Sequence, residues 1–493
     1  MSTFANRRKK TKAELIWASI SIFAVIAIAI GIITDNLAIS VAVSVIPAIF
    51  MALLASFEKP KIAFFLLLVI NFAIPVTSHY IYNFSTGLLM DGMLVFLIFV
   101  ILSQNLTGNI SLKRVPVDVI LVVGIWLFYC IIEVFNPRMI KFDAWYKTIR
   151  NMALYFFLIT LMVPIVIEKL EDVKEFLVLW SVFVIIATLK VLYQRYIGFT
   201  SGDEYFLRYM GGEVTHIIYY GTRYFSIFSD ASNFGGSMGM SAVVFLIAGT
   251  HSRKKSHKIY WFFIAAISIY CIFISGTRAA IIVPLVGIIL YLVLIRDFKK
   301  AIPVGIVVGI LYILLAFTTI GQGNNIIRRA RTVFHKEEDR SYMIRVENRE
   351  KLKDLLATMP MGNSLGMSSG RGKEYGDTSV IAEIPTDSWL VQVWVETGLI
   401  GQIIYFLVMA YLFIKAGIIV FFRLKNPEVK GIAAALVSGI AGLFVMSAAS
   451  DVFTQYPNGV MVYTCFALIF MCPYFEKELQ KKENETVSVI DND

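Results

Sequence analysis

Uninterrupted apolar runs of about 18 residues or more recur along the whole chain. A helix of that length crosses a hydrocarbon core of roughly 30 Å. Inside lipid a backbone has no water to bond, so each run must satisfy its own N–H and C=O groups as a helix. A membrane barrel would show short segments of alternating polarity, and none is visible. Composition agrees, since 58% of the 493 residues are hydrophobic and 16% are charged, whereas a soluble domain carries about 25% charged residues. The expected fold is therefore all-α, a polytopic transmembrane helix bundle.

Hydropathy places spans near 15–34, 37–56, 61–78, 86–105, 117–134, 151–167, 174–196, 230–249, 259–275, 279–296, 301–320, 397–421, 430–450 and 457–474, about fourteen in all. With the N-terminus inside, Lys and Arg clusters fall in nearly every short cytoplasmic segment, as the positive-inside rule requires. This places both termini in the cytoplasm. The net charge of +10 is then an orientation signal, and no nucleic-acid partner is implied. Leu15–Ile33 is too long for a signal-peptide core and reads as the first span. Cys130, Cys271, Cys465 and Cys472 lie in or beside apolar runs and imply no disulfide framework.

The organisation that follows has six parts. Residues 1–197 hold the N-terminal helices and 198–229 a first long external loop. Residues 230–320 hold central helices, 321–394 a large external loop, 395–475 the C-terminal helices and 476–493 a cytoplasmic tail. The second loop is basic, and long loops translocate regardless of charge. Within it, Ser341–Thr358 reads as an amphipathic helix with Tyr342, Val346, Leu352 and Leu356 on one face. Arg345 and Arg349 project from that same face, either snorkelling at the membrane surface or facing an anion. The following stretch, Pro360 to Gly376, is rich in Gly and Ser and reads as an irregular, substrate-covering loop.

Ionisable residues in or flush with a membrane point to function. Here they are Asp91, Lys190, Arg195, Asp230, Arg278, Glu396 and Asp451, all in the outer half of their spans or at the outer end. A transporter needs such groups near the midplane, so the pattern favours a site open only outward. Arg278 lies in the short turn Ser275-Gly276-Thr277-Arg278, where the next helix begins. Free N–H groups and a guanidinium there make an anion cradle. Asp230, Ser232 and Asn233 have the pattern of a helix cap, which leaves Arg223 unexplained. Asp387 or Ser388 caps a further helix, into which Glu396 enters ahead of Gly398 and Gly401. Tyr205, Phe206, Tyr209, Tyr219, Tyr220 and Tyr224 fit either an interfacial belt or a sugar-stacking surface.

These pieces in this order resemble the O-antigen polymerase and O-antigen ligase superfamily of integral membrane glycosyltransferases. The matching elements are Arg223 with the Phe-rich stretch ending Asn233-Phe234-Gly235, then Ser275 to Arg278, then Arg345 with Pro360 and Gly362, then Glu396, Gly398 and Gly401. The resemblance covers roughly residues 200–420. It implies a metal-independent C-type glycosyltransferase fold in a bacterial inner membrane, with the site facing the periplasm. It implies an undecaprenyl pyrophosphate-linked glycan as substrate, polymerised into O-antigen, capsule or exopolysaccharide, with no cofactor or metal. Arg278 and Arg223 would hold the pyrophosphate, and Asp387 would activate or bind the acceptor. Arg345, Arg349, Arg208, Asp230, Asn233 and Glu396 would bind substrate. Membrane lipid and a chain-length regulator or flippase are the implied partners. Ligases usually carry a His-Asn element before the Glu/Gly stretch, and Thr386-Asp387-Ser388 stands here instead. That departure favours polymerase, with transfer to a lipid A core as the ligase alternative. A lipid-linked glycan transporter and a metal-dependent C-type enzyme fit less well. The first external loop, Thr34-Asp35-Asn36, lacks the acidic pair of the latter.

Overall fold

The computed structural model describes residues 49–80, 85–106, 108, 112–218, 221–296, 306, 310, 313, 317, 318, 323 and 340–490. Among them, eleven helices are long and apolar enough to cross a membrane. In chain order the helices used below are α1 (Lys61–Tyr80), α2 (Gly87–Leu106), α3 (Val117–Phe135), α4 (Phe142–Val166) and α5 (Leu170–Tyr196). There follow the short α6 (Ser201–Tyr209), then α7 (Ala231–His251), α8 (Lys255–Ile274) and α9 (Arg278–Ile295). The last are α10 (Arg340–Leu356), α11 (Trp389–Arg423), α12 (Pro427–Met446) and α13 (Asn458–Ile490). Every expected span within the described residues coincides with one of these helices. The expected spans 15–34 and 301–320 lie outside the described residues, save isolated positions, and 37–56 is described only from Ile49.

Two helices, α4 and α11, begin eight or more residues earlier than hydropathy places them. The polar side chains of Lys147 and Arg150 lower the local hydropathy, yet the helix runs on as a π-turn over Arg150–Leu154. Helix α11 starts at Trp389 because Ser388 Oγ accepts from the Val391 N–H, capping it eight residues before the apolar run.

Chain contacts divide the molecule into two compact units, Met1–Leu67 with Asp91–Ile110, and Leu68–Met90 with Ser111–Asp493. The second holds everything that follows. Its helices show the two-sided apolarity of a membrane bundle. On α3, Val119, Val123, Trp126 and Cys130 are buried, while Leu121, Ile125 and Phe128 stand exposed. In lipid both faces are apolar, so helix association relies on close packing more than on hydrophobic contrast. The centre is α7, buried along nearly its whole length and packed on α8, α9 and α12. Small residues permit this. A Cβ on Gly239 would meet Val283, and one on Gly442 would meet the Val283 carbonyl at 2.3 Å.

The connections α3–α4, α5–α7, α8–α9 and α12–α13 meet the start of α11 at one end of the bundle. Hydrogen bonds tie them together, such as Tyr129 Oη to the Thr397 carbonyl (2.8 Å) and Ser388 Oγ to the Ser447 carbonyl (3.1 Å). The opposite end carries ordinary charge pairs, including Arg114 with Glu168 at 3.0 Å and Lys174 with Glu428 at 2.6 Å.

Candidate active site at one end of the bundle

Arg223 is firmly held at this end. It follows the two-stranded turn of β1 (Ile217–Ile218) and β2 (Gly221–Thr222). Its Nη1 donates to the Thr215 carbonyl (3.0 Å), and its Nη2 donates to Ser232 Oγ (3.1 Å) and Thr277 Oγ1 (2.9 Å). Thr277 Oγ1 in turn donates to the Ala231 carbonyl (2.9 Å). The loop arginine, the start of α7 and the turn before α9 are thereby locked to one another. Gly235 closes the same contact, because a Cβ there would lie 2.6 Å from Ser275 Oγ and 2.9 Å from the Ala280 methyl. The turn itself needs Gly276, which takes a positive φ of 60°. The first two motifs matched by sequence order are thus physically one assembly.

Electrostatics joins the remaining arginines to it. The Arg223 guanidinium is pushed below its ordinary value, first by burial. Asp230 opposes that shift, and the nearby positive charges of Arg278 and Arg345 add to it. Its Nε is buried with no hydrogen-bond partner among the described residues. Like charges held close, with an unanswered donor, form an arrangement completed by an anion. Arg345 also faces Asp387 at 3.6 Å, both partly exposed. Arg345, Arg349, Asp387 and Ser388 line one small recess.

Helix α10 forms as expected over Arg340–Leu356, although the Tyr342 side chain lies outside the described residues. Its apolar face does not rest on a membrane surface. Leu352 and Leu356 pack with Ile381, Ile384 and Val395 in a protein core, which fixes the helix against α11. Arg349 donates to the Ala448 carbonyl (3.1 Å). The Pro360–Gly376 stretch, expected to be irregular throughout, is so only to Ser368, with a short helix over Ser369–Glu374, and its first half is a buried wedge. Gly398 breaks α11 with φ 66° and ψ −169°, and the wedge enters that break. The Asn363 N–H reaches the Val395 carbonyl at 2.8 Å, and Ile400 N–H reaches the Pro360 carbonyl at 3.3 Å. A Cβ on Gly398 would lie 2.1 Å from the Pro360 oxygen. Glu396 is fully buried beneath the wedge, accepting from Ser368 Oγ at 2.5 Å and Gln392 Nε2 at 3.1 Å.

Residues 262–406 match the family model described as O-antigen ligase. Over that segment the chain is similar to the O-antigen ligase family. It runs from within α8 into α11 and contains Arg278, Arg345, Arg349, Asp387 and Glu396. Arg223, Asp230 and Asn233 precede it and reach it through the contacts above. No curated protein matches the chain.

Several expected site residues have internal partners. Asp230 caps α7, accepting from the Ser232 and Asn233 N–H groups at 2.7 and 3.0 Å. Asn233 is buried, donating to Ser229 Oγ and the Tyr456 carbonyl and accepting from Asn458. It pins α7 to the α12–α13 connection. Arg208 stands on the exposed face of α6, paired with Glu204 at 3.6 Å. Lys190 pairs with buried Asp203 at 2.8 Å, and Arg195 lies over the Tyr196 ring. Phe206 is half-buried, stacked on His79 (4.6 Å) and packed edge-on to Phe225. Tyr219 and Tyr220 lie outside the described residues.

Sequence reading missed Thr277 and His216. The His216 ring is buried, with Nδ1 donating to the Gly212 carbonyl (2.9 Å) and Nε2 accepting from the Ala231 N–H (3.2 Å). Its own carbonyl accepts from the Arg223 N–H at 2.7 Å. Burial holds its pKa below the ordinary value, as this bonding of a neutral ring requires. Asp451, behind the cluster, is pushed above the usual carboxylate range by burial, while Arg371 and Gln455 act in the opposite direction.

Proposed function

We propose that this chain is a membrane glycosyltransferase that polymerises undecaprenyl pyrophosphate-linked repeat units into a surface polysaccharide, at the periplasmic face of a bacterial inner membrane. The observation that carries the reading is the convergence of Arg223, Arg278 and Arg345 at one end of the bundle, where a carrier's diphosphate would lie with its lipid tail between helices.

The chemistry needs little beyond that cluster. The acceptor hydroxyl oxygen attacks the anomeric carbon of the donor sugar. The bond from that carbon to the phosphate oxygen breaks, and its electron pair leaves with the diphosphate. Guanidinium groups that are already positioned stabilise the charge developing there, the largest single contribution such sites make. Arg223 is held by backbone and hydroxyl groups, so it does not reorganise as the charge appears. The hydroxyl proton goes to a carboxylate, and Asp387 beside Arg345 is the group assigned. Arg349 neighbours that recess and supports the substrate's approach. Asp230, Asn233 and Glu396 act by fixing helices α7 and α11. A chain-length regulator or flippase would meet the product at the same face.

A second reading, transfer of the glycan to a lipid A core, is favoured by the O-antigen ligase description of the matched model. Against it stands Thr386-Asp387-Ser388 where ligases carry a histidine element, while His216 is engaged in capping α7. Deletion separates the two. Loss of a polymerase leaves single repeat units on the acceptor, whereas loss of a ligase strands long chains on the carrier. For the site, Arg223→Ala and Arg278→Ala should leave the protein inserted and abolish long chains on a gel. Wild-type chain lengths from both variants would refute the assignment.

A further inference from the structure

Behind the arginine cluster lies a cleft of about 230 Å³, lined among others by Asn151, Arg371, Trp389, Gln392, Asp451 and Gln455. It shares no lining residue with the Arg345–Asp387 recess. Pockets for drug-sized ligands run from about 300 to 1,000 Å³, so this one suits a single ring-sized unit.

Its polar groups say what kind of unit. The charges are already balanced locally, with Arg371 facing Asp451 at 3.6 Å and Lys147 on the rim bonded to Asp143 at 2.7 Å. A second anion is therefore not called for. What remains open is a hydrogen-bond acceptor. Asp451 Oδ2 has Gln455 Nε2 at 3.4 Å, but Asp451 Oδ1 is buried with no partner among the described residues. A buried polar atom without a partner costs about 1–3 kcal/mol, and a ligand hydroxyl answers it directly. The Trp389 ring lines the same space, its indole N–H tied to Tyr405 Oη at 2.8 Å, so it offers a fixed apolar flank. Amide groups of Gln392 and Gln455 complete the lining. One apolar flank, amides and an acceptor awaiting a hydroxyl are the complement of a sugar ring. The cleft also communicates with the arginines. Gln455 Oε1 accepts from Ser229 Oγ at 3.2 Å, and Ser229 precedes the Asp230 cap that adjoins Arg223.

We propose that this cleft is the acceptor subsite, binding one sugar ring of the incoming glycan with a hydroxyl donating to Asp451 Oδ1. The assignment rests on the glycosyltransferase reading above and adds the place where the acceptor is recognised. Donor diphosphate and acceptor sugar then occupy neighbouring but chemically different sites, one cationic and one charge-balanced.

The test uses the full chain in nanodiscs. The probe is the carrier-free oligosaccharide repeat released from the host's own polysaccharide, followed by saturation-transfer NMR. Wild type should give a saturable signal. Asp451→Ala should raise the Kd about tenfold or more, and Thr454→Trp, which fills the cleft without removing a charge, should abolish binding. Arg278→Ala should bind the free repeat as wild type does while failing to elongate a carrier-linked donor. No binding by wild type, or Kd values within twofold of wild type for both cleft variants, would overturn the subsite. Failure of wild type to elongate the carrier-linked donor while it still binds the free repeat would instead count against the polymerase reading alone.

Discussion

Replacing Thr277 by valine removes one hydroxyl and keeps nearly the same shape. That hydroxyl is buried, accepts from Arg223 Nη2 at 2.9 Å and donates to the Ala231 carbonyl at 2.9 Å. A hydrogen bond to a charged group is worth about 1.5–3 kcal/mol and a neutral one about 0.5–1.5 kcal/mol. The second loss falls mainly on folding, since it leaves a buried carbonyl at the start of α7 unanswered. The first falls on the placement of Arg223, which keeps Ser232 and the Thr215 carbonyl but loses its link to the Arg278 turn. At about 1.36 kcal/mol per factor of ten, kcat/KM for elongation should drop roughly 10- to 150-fold. The assay is elongation of a carrier-linked oligosaccharide in proteoliposomes, with thermal unfolding measured on the same samples. Thr277→Ser keeps the hydroxyl and should restore the rate. Thr277→Val within twofold of wild type, or Ser and Val variants of equal rate, would refute the positioning argument.

Three further outcomes follow from the geometry. Gly398→Ala meets the Pro360 oxygen at 2.1 Å and needs φ of 66°, so size-exclusion chromatography should show little or no folded protein. His216 is held neutral by burial, with Asp230 and Arg223 as its charged neighbours. Its folded-state pKa lies below the unfolded value near 6.5, so its contribution to stability is complete above about pH 6.5 and is lost as pH falls below it. Thermal scans from pH 7.5 to 5 should show that loss, reduced in His216→Gln. Arg208→Ala breaks only an exposed i,i+4 pair worth about 0.3–0.5 kcal/mol, and elongation should stay within twofold of wild type.

The spans were readable because lipid demands an unbroken apolar run, and the eleven span-length helices among the described residues carry those runs where hydropathy finds them. Parts of the candidate site were readable. Arg223, Arg278 and Arg345 stand out because a guanidinium beside a membrane needs a reason, and the structure brings their charges together. The partners that hold them were not readable. Thr277 looks like any turn threonine until the Arg223 and Ala231 contacts exist, and those join residues 46 and 54 positions apart. Gly398 reads as a packing glycine, and only its φ and the nearby Pro360 carbonyl reveal a break that admits the wedge. The Gly and Ser content of Pro360–Gly376 fits an exposed cover as well as a buried wedge, because small residues serve both. Asp451 shows its open Oδ1 only once Arg371, Gln392 and Gln455 are assembled around it.

The most direct measurement is elongation of a carrier-linked oligosaccharide by purified wild type, Arg223→Ala and Arg278→Ala, with EDTA present throughout. Wild type should build long chains, and each arginine variant should fall at least about 100-fold, the cost of losing one positioned donor to a developing oxyanion. Undiminished elongation by either variant, with both proteins folded and inserted, would contradict the account.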